Sequence, residues 1–425
     1  MRTLTLNDKN YDVYLAKLAL FRAIGYDADF SDTYNEEFEE TVREFQRAKD
    51  LRVDGIFGPD TWQTALPFLY GFTLHTVEQD DTVFNLSEYY STSADAIIKA
   101  NPDIDTKNLT VGTRLVIPYL FPLVTDKIPY SSVLTQYILY GLVARYPFLE
   151  LSKAGNSVMG KSIYTVKIGR GTNEYFYNAS HHANEWITTP LLLKFIEEYS
   201  KSYSENTTIG TLGATYLYNI SSLYLIPLVN PDGVDLVNSA IDTENEYYIR
   251  AKEIADNYPS IPFPSGWKAN IVGTDLNLNY PAFWEEAKRV KEAQGITGPA
   301  PRDYVGDNPL SAVESKAVYD FTLSRNFRLS ISYHTQGEVI YWKFLDYNPE
   351  GSYEIALRFA RSSGYLVSET PLESGYAGYK DWFILNYNLP GYTIEVGKGV
   401  NPLPISELNS IYQKNVGILT DALTL

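Results

Sequence analysis

The sequence predicts a multi-domain protein: a small α-helical module and a small βααβ module precede a large α/β domain with a mixed, largely parallel sheet. Three observations lead there. A chain of 425 residues is too long for one ordinary core. Two short patterned segments, each bounded by turn formers, occupy the first 119 residues. Beyond residue 126, strand-like and helix-like runs alternate, the pattern of an α/β sheet.

The first segment spans 1–70. VYLAKLALFRAIGY and EEFEETVREFQRAKDL place apolar residues at helical spacing, and acidic residues lead the second run, as the helix dipole favours. In VDGIFGPDTWQTAL, Asp54-Gly55 and Gly58-Pro59 are turn formers, and Asp60 can cap a short helix carrying Trp62. The second segment spans 73–119. Its β-rich ends, TLHTV and RLVIPY, bracket two helix-like runs, and His75 on the first strand reads as a solvent-facing histidine. YLFPLVTDKIPYSS, with prolines and polar residues, reads as a linker. The third segment, 126–425, contains the β-rich runs IYTVKIG, EYFYNAS, SLYLIPLVN, FRLSISYH and GYTIEVG. Its helical runs are TTPLLLKFIEEYSKSY, SAVESKAVYDFTLSRN and EIALRFARSSG. Ligands in such sheets collect at the carboxyl ends of strands, so functional side chains are expected there.

Composition narrows the chemistry. With no cysteine, disulfides, thiol catalysis and thiolate metal sites are excluded. A net charge of −17 argues against nucleic acid as the partner, since phosphate binding needs a basic stripe. The longest apolar candidate, LVIPYLFPLV, is about half the length of a membrane span and holds two prolines, so no membrane insertion is expected. MRTLTLNDKNYD shows neither the apolar segment nor the small-residue cleavage site of a secretory signal, so no such signal is expected. The expected location is the cytoplasm, or the spore or cell wall reached by lysis or mother-cell release.

The chain has only four histidines, yet two stand together in HHANEW at 181–186. His182 and Glu185 are spaced i, i+3, and at the first turn of a helix they share one face. A catalytic zinc ion takes three nitrogen or oxygen ligands and keeps one position open for water; two histidines with one glutamate is a standard set. His334, closing the strand FRLSISYH, is the one distant histidine of this segment that can complete it. His181 has Asn184 rather than a carboxylate at i+3, and reads as a supporting residue.

Further motifs carry a resemblance. HANEW, LVNPDGV (228–234), GWKAN (266–270), DLNLNYP (275–281), SYHTQGEVIYW (332–342) and GYAGYKDWF followed by GYTIEVGKG occur in order. Residues 126–425 resemble the zinc carboxypeptidase (carboxypeptidase A-like) family, and within it most resemble bacterial peptidases that cut γ-D-glutamyl-meso-diaminopimelate bonds. FQRAKDLRVDGIFGPDTW resembles the peptidoglycan-binding domain 1 family. Asp81-Thr82-Val83, Asn101-Pro102 and the run Leu109 to Pro118 resemble a LysM domain, which binds N-acetylglucosamine-containing glycans.

The resemblance implies one zinc ion held by His182, Glu185 and His334. It implies Glu395 as general base, Lys268 opposite the metal for the oxyanion, and Tyr376 as the tyrosine over the scissile bond. It also marks departures. Where digestive relatives clamp a C-terminal carboxylate with arginines, this chain has Asn184, Lys268 and Leu278, so ordinary exopeptidase specificity is not expected. Asn277 remains as a substrate donor, and Arg302, in the loop GPAPRDYVG, is a candidate for a substrate carboxylate. The expected activity is hydrolysis of peptidoglycan stem peptides at the γ-D-Glu–diamino acid bond, with glycan strands and stem peptides as partners. An exo-acting zinc carboxypeptidase and an inactive wall-binding protein are the alternatives.

Overall fold

The computed structural model describes residues 1–26 and 29–425; among them no helix is long and apolar enough to cross a membrane. The chain packs as two compact units, one of residues 1–128 and 133–150, the other of 129–132 and 151–425.

The first unit begins with helices α1 (Tyr11–Ile24), α2 (Glu36–Ala48) and α3 (Pro59–Tyr70). Asn10 and Asn35 cap the first two through their side chains. Pro59, with Gly58 ahead of it, starts α3, so Asp60 lies in the first turn rather than at the cap. Gln46 explains the FQ and VDG pairing: its amide donates to Asp54 and to the Ile56 carbonyl and accepts from the Gly55 amide. Strand β1 (Phe72–Thr76) then pairs antiparallel with β2 (Arg114–Pro118) around helices α4 (Val83–Tyr89) and α5 (Ala94–Ala100). Their small core is Val77, Val83, Leu86, Ile97, Leu115 and Ile117.

One expectation changes here. His75 does not face solvent; it is held between Tyr90 Oη (3.0 Å) and Asp81 (2.8 Å). Within the stretch 119–132, Leu123, Ile128 and Tyr130 are fully buried. Helix α6 (Ser132–Arg145) ends on Arg145, which donates to the carbonyls of Tyr119 (2.7 Å) and Phe121 (3.2 Å). Tyr137 on the same helix stacks edge-on against Tyr70.

The second unit is built on an eight-stranded sheet. Its strands are β3 (Glu150–Asn156), β4 (Ser162–Gly169), β5 (Asn173–Ala179), β6 (Ser221–Ile226), β7 (Phe327–Thr335), β8 (Val339–Tyr341), β9 (Leu366–Ser368) and β10 (Gly391–Val396). They lie in the order β9-β8-β10-β7-β5-β6-β4-β3. The central strands β10, β7, β5 and β6 are mutually parallel, whereas β8 joins β10, and β4 joins β6, antiparallel. The chain leaves β5 for β6 on one side and later enters β7 on the other. That reversal opens a crevice beyond the carboxyl ends of β5 and β7, where α/β proteins bind ligands.

Candidate metal centre and active site

The crevice collects its side chains for local reasons. The chain leaves β5 through Ser180, whose left-handed backbone (φ 54°) is braced by the hydroxyls of Thr188 and Thr189. His182 follows, then a single 3₁₀ turn at Ala183–Glu185, and only then the α-helix α7 (Thr188–Ser204). The i, i+3 pair thus sits on a 3₁₀ turn and not on the first turn of an α-helix. In that tighter turn i and i+3 nearly eclipse, which brings His182 and Glu185 together. On the sheet, β7 and β10 run parallel with His334 directly beside Glu395.

Among the described residues, His182, Glu185 and His334 are the one group of metal-ligating side chains whose atoms all lie within 4.8 Å of one another, and all three are buried. Glu185 reaches His182 Nδ1 at 2.9 Å and His334 Nδ1 at 3.0 Å, and the two Nδ1 atoms are 3.1 Å apart. Ligands held about 2.0–2.1 Å from a tetrahedral ion are about 3.3 Å from each other, so the spacing fits one zinc ion. The donor set fits too. Nε2 of His182 faces Asp275 Oδ1 at 3.1 Å, so a proton on Nε2 leaves the Nδ1 lone pair for the ion. Glu185 also accepts from the Thr335 amide (3.1 Å) and pairs with Lys268 Nζ (3.2 Å).

The protein's own charges set the protonation of this cluster. Burial, the largest single effect, disfavours a charged His182, but Glu185 and Asp275 together, against Lys268, push the pKa up to about 9. Burial likewise opposes the ionised Asp275, yet His182 holds its carboxyl well below the usual range. Glu395 moves the other way: burial and then the Glu185 carboxylate raise it to about 8, with Lys268 and His182 pulling it down. A cation in the cluster strengthens that downward pull, turning Glu395 into an available base.

Two cavities meet over the cluster. One, of about 200 Å³, is lined by His182, Asp275, Asn277 and Lys380, among others; the second, of about 530 Å³, is lined by Asn184, Gln336 and Asn401. The structure brings most of the sequence candidates to these walls. Lys268, Arg302 and Glu395 line both cavities. Asn184 lines the larger one, with its buried Oδ1 unpartnered among the described residues. Asn277 lines the smaller; its Oδ1 accepts from the Tyr379 amide, and its amide nitrogen keeps no partner among the described residues. Arg302 serves two ends: Nε pairs with Asp303 at 2.8 Å while the side chain is 47% exposed toward the cleft.

Tyr376 lies in the loop whose Ser374 and Gly378 help wall the smaller cavity. It lines neither cavity and packs instead against the apolar cluster of Leu278, Trp284, Val305 and Ala377. Its place in a loop near the site carried no information on which way the ring turns. His181 lies outside the ligand group, buried, with Nε2 at 2.9 Å from Tyr280 Oη; burial holds its pKa well below the ordinary value.

Sequence reasoning missed Asp275, Lys291, Asn230 and Tyr341. Asn230 donates to the carbonyls of His181 (3.1 Å) and Ala269 (3.0 Å), tying the loop that carries His182 to the loop that carries Lys268. The LVNPDGV motif was the signal for it. Asp275 opens the DLNLNYP motif, so a carboxylate was visible there, though its partner was not.

Comparison with known proteins follows the same lines. A zinc carboxypeptidase family model matches residues 136–417, a peptidoglycan binding domain model 9–64, and a LysM domain model 75–118. Gamma-D-glutamyl-L-diamino acid endopeptidase 1 of Lysinibacillus sphaericus is 46% identical over 286 residues, covering 67% of this chain and 69% of that protein. The Bacillus subtilis protein YqgT is 39% identical over 280 residues, covering 65% of this chain and 73% of that protein. Among solved structures, bovine thrombin-activatable fibrinolysis inhibitor in complex with tick carboxypeptidase inhibitor aligns with a TM-score of 0.54 at 20% identity. That alignment covers 70% of this chain and 97% of the other. Carboxypeptidase A from Helicoverpa armigera gives 0.52 at 15% identity, covering 83% and 97%. At those identities the likeness is one of fold.

Proposed function

The chain belongs to the zinc carboxypeptidase family, and from that premise we propose that it hydrolyses peptidoglycan stem peptides between the γ-carboxyl of D-glutamate and a diamino acid. The observation that carries this reading is the charge pattern of the smaller cavity. Lys291, Arg302 and Lys380 line it together with Asp303 and Asp381, so one enclosure holds groups of both signs, Lys291 and Arg302 beside Asp303 and Lys380 beside Asp381. A residue bearing both an ammonium and a carboxylate beyond its backbone, as a diamino acid of this type does, finds a partner for each. A digestive substrate ending in a plain α-carboxylate does not find its usual arginine, because Leu278 stands there. The 46% identity to a protein named for that bond supports the same substrate class.

In this reading His182, Glu185 and His334 hold one zinc ion. When bound, the ion polarises the amide carbonyl and acidifies water. Glu395 accepts the proton of the attacking water and returns it to the leaving nitrogen, so it begins and ends the cycle ionised. Lys268 presents its ammonium where negative charge grows on the carbonyl oxygen. Arg302 has terminal nitrogens without partners among the described residues, and Asn277 a free amide; both serve as donors to substrate carboxylates. The N-terminal modules bind the glycan and raise the local substrate concentration, placing the protein at the cell wall or spore envelope.

Incubating the purified protein with L-Ala-γ-D-Glu-meso-diaminopimelate tests this by mass spectrometry. Release of diaminopimelate and L-Ala-D-Glu is expected, with the α-linked isomer left whole. Cleavage between alanine and glutamate, or equal cleavage of both isomers, would overturn it.

A further inference from the structure

Four residues line both cavities: Lys268, Arg302, Glu395 and Tyr341. A substrate that occupies the two cavities at once passes between them at these four side chains, so the bond that is cut lies there. Three of the four are charged and already have a use. The fourth is a phenol, one of 36 tyrosines with nothing in its sequence context to single it out.

The sheet fixes where Tyr341 stands. It ends β8, antiparallel to β10, with Tyr341 opposite Thr393 and Val339 opposite Glu395. Residues opposite one another share a face, as do residues two apart on one strand. Tyr341 is therefore the diagonal neighbour of Glu395 on the same face, a separation of about 7–8 Å between backbones that an aromatic side chain spans. Its hydroxyl has no hydrogen-bond partner among the described residues and is not among the buried, unpartnered atoms, so it stands open to the cleft. Burial and then the Glu395 carboxylate raise the phenol above its ordinary pKa, so it keeps its proton for donation.

Building on the hydrolase reading above, we infer that the Tyr341 hydroxyl is a catalytic residue, donating a hydrogen bond to the scissile carbonyl oxygen as a second donor beside Lys268. No bond to Tyr341 forms or breaks: water adds to the carbonyl carbon, the carbon–nitrogen bond opens, and Glu395 moves the proton.

The test is Tyr341→Phe, which keeps the ring and removes one oxygen. Loss of one such donor costs on the order of 10²-fold in kcat. We expect that loss with KM within about twofold, and a parallel weakening of inhibition by a phosphinate analogue of the γ-D-Glu–diaminopimelate bond. Zinc content and Tm should match wild type. A ring that merely walls the cavity gives the opposite split: Tyr341→Phe behaves as wild type, and Tyr341→Leu raises KM alone. That result overturns the inference, as does a Tyr341→Phe effect confined to KM. Wild-type protein that leaves the stem peptide whole overturns the reading beneath it instead.

Discussion

Asp275→Asn is the perturbation whose size follows most closely from the geometry. Asp275 Oδ1 stands 3.1 Å from His182 Nε2 and its Oδ2 accepts the Asp303 amide at 3.2 Å, and only 3% of the residue is exposed. Asparagine keeps the shape. With its oxygen toward His182 it still accepts, but a hydrogen bond to a charged group, about 1.5–3 kcal/mol, becomes a neutral one, about 0.5–1.5 kcal/mol. The difference of about 1–1.5 kcal/mol corresponds to about a tenfold weaker hold on the ion. With its nitrogen toward His182 the amide instead favours the tautomer that protonates Nδ1, and the loss grows toward about a hundredfold. Titrating metal-stripped wild type and Asp275→Asn with zinc against a competing chelator measures this. Zinc-saturated Asp275→Asn should recover most of the wild-type kcat, because Asp275 acts through His182. Zinc affinity within twofold of wild type would refute the reasoning, since His182 would then be oriented by something else.

Three further outcomes follow. Zinc affinity should fall with acidification: the ion displaces the proton that His182 holds up to about 9, so Kd rises about tenfold per pH unit below that point. Glu395, held up to about 8, steepens the slope where the cation strips its proton as well; isothermal titration across pH 6 to 8 reads it, and a flat profile contradicts it. Arg302→Ala should raise KM on the stem peptide about tenfold or more, as loss of a charge-assisted hydrogen bond does, with zinc affinity kept; an unchanged KM removes Arg302 from the site. The wall-binding unit should be tested by surface change rather than deletion, because Tyr70 and the carbonyls of Tyr119 and Phe121 pack on helix α6. Replacing the exposed Phe84 and Tyr89 with alanine should slow release from sacculi about tenfold and spare soluble stem peptides; equal loss on both would mark the pair as structural.

The sequence made the central sheet legible because β5, β6, β7 and β10 each hold five or more buried positions rich in aromatic and aliphatic residues, as expected of parallel strands covered on both faces. The edge strand β9 and its neighbour β8 have three residues each, too few to show a period, and were missed. The metal ligands were legible because histidine is rare here: four in the chain, two of them converging with Glu185. Glu395, one strand over from His334, owed its reading to resemblance, since a carboxylate flanked by apolar residues is not in itself distinctive. Asp275, Lys291 and Tyr341 are common residue types whose meaning comes from where β7, β8 and the loop 267–275 put them.

Titrating zinc into chelator-stripped protein while following release of diaminopimelate from L-Ala-γ-D-Glu-meso-diaminopimelate probes the whole account at once. Activity should be absent at the start and rise linearly to a break at one ion per chain, with His334→Ala showing no rise at equimolar zinc. Hydrolysis that persists in the stripped protein, or a break at two ions, would contradict it.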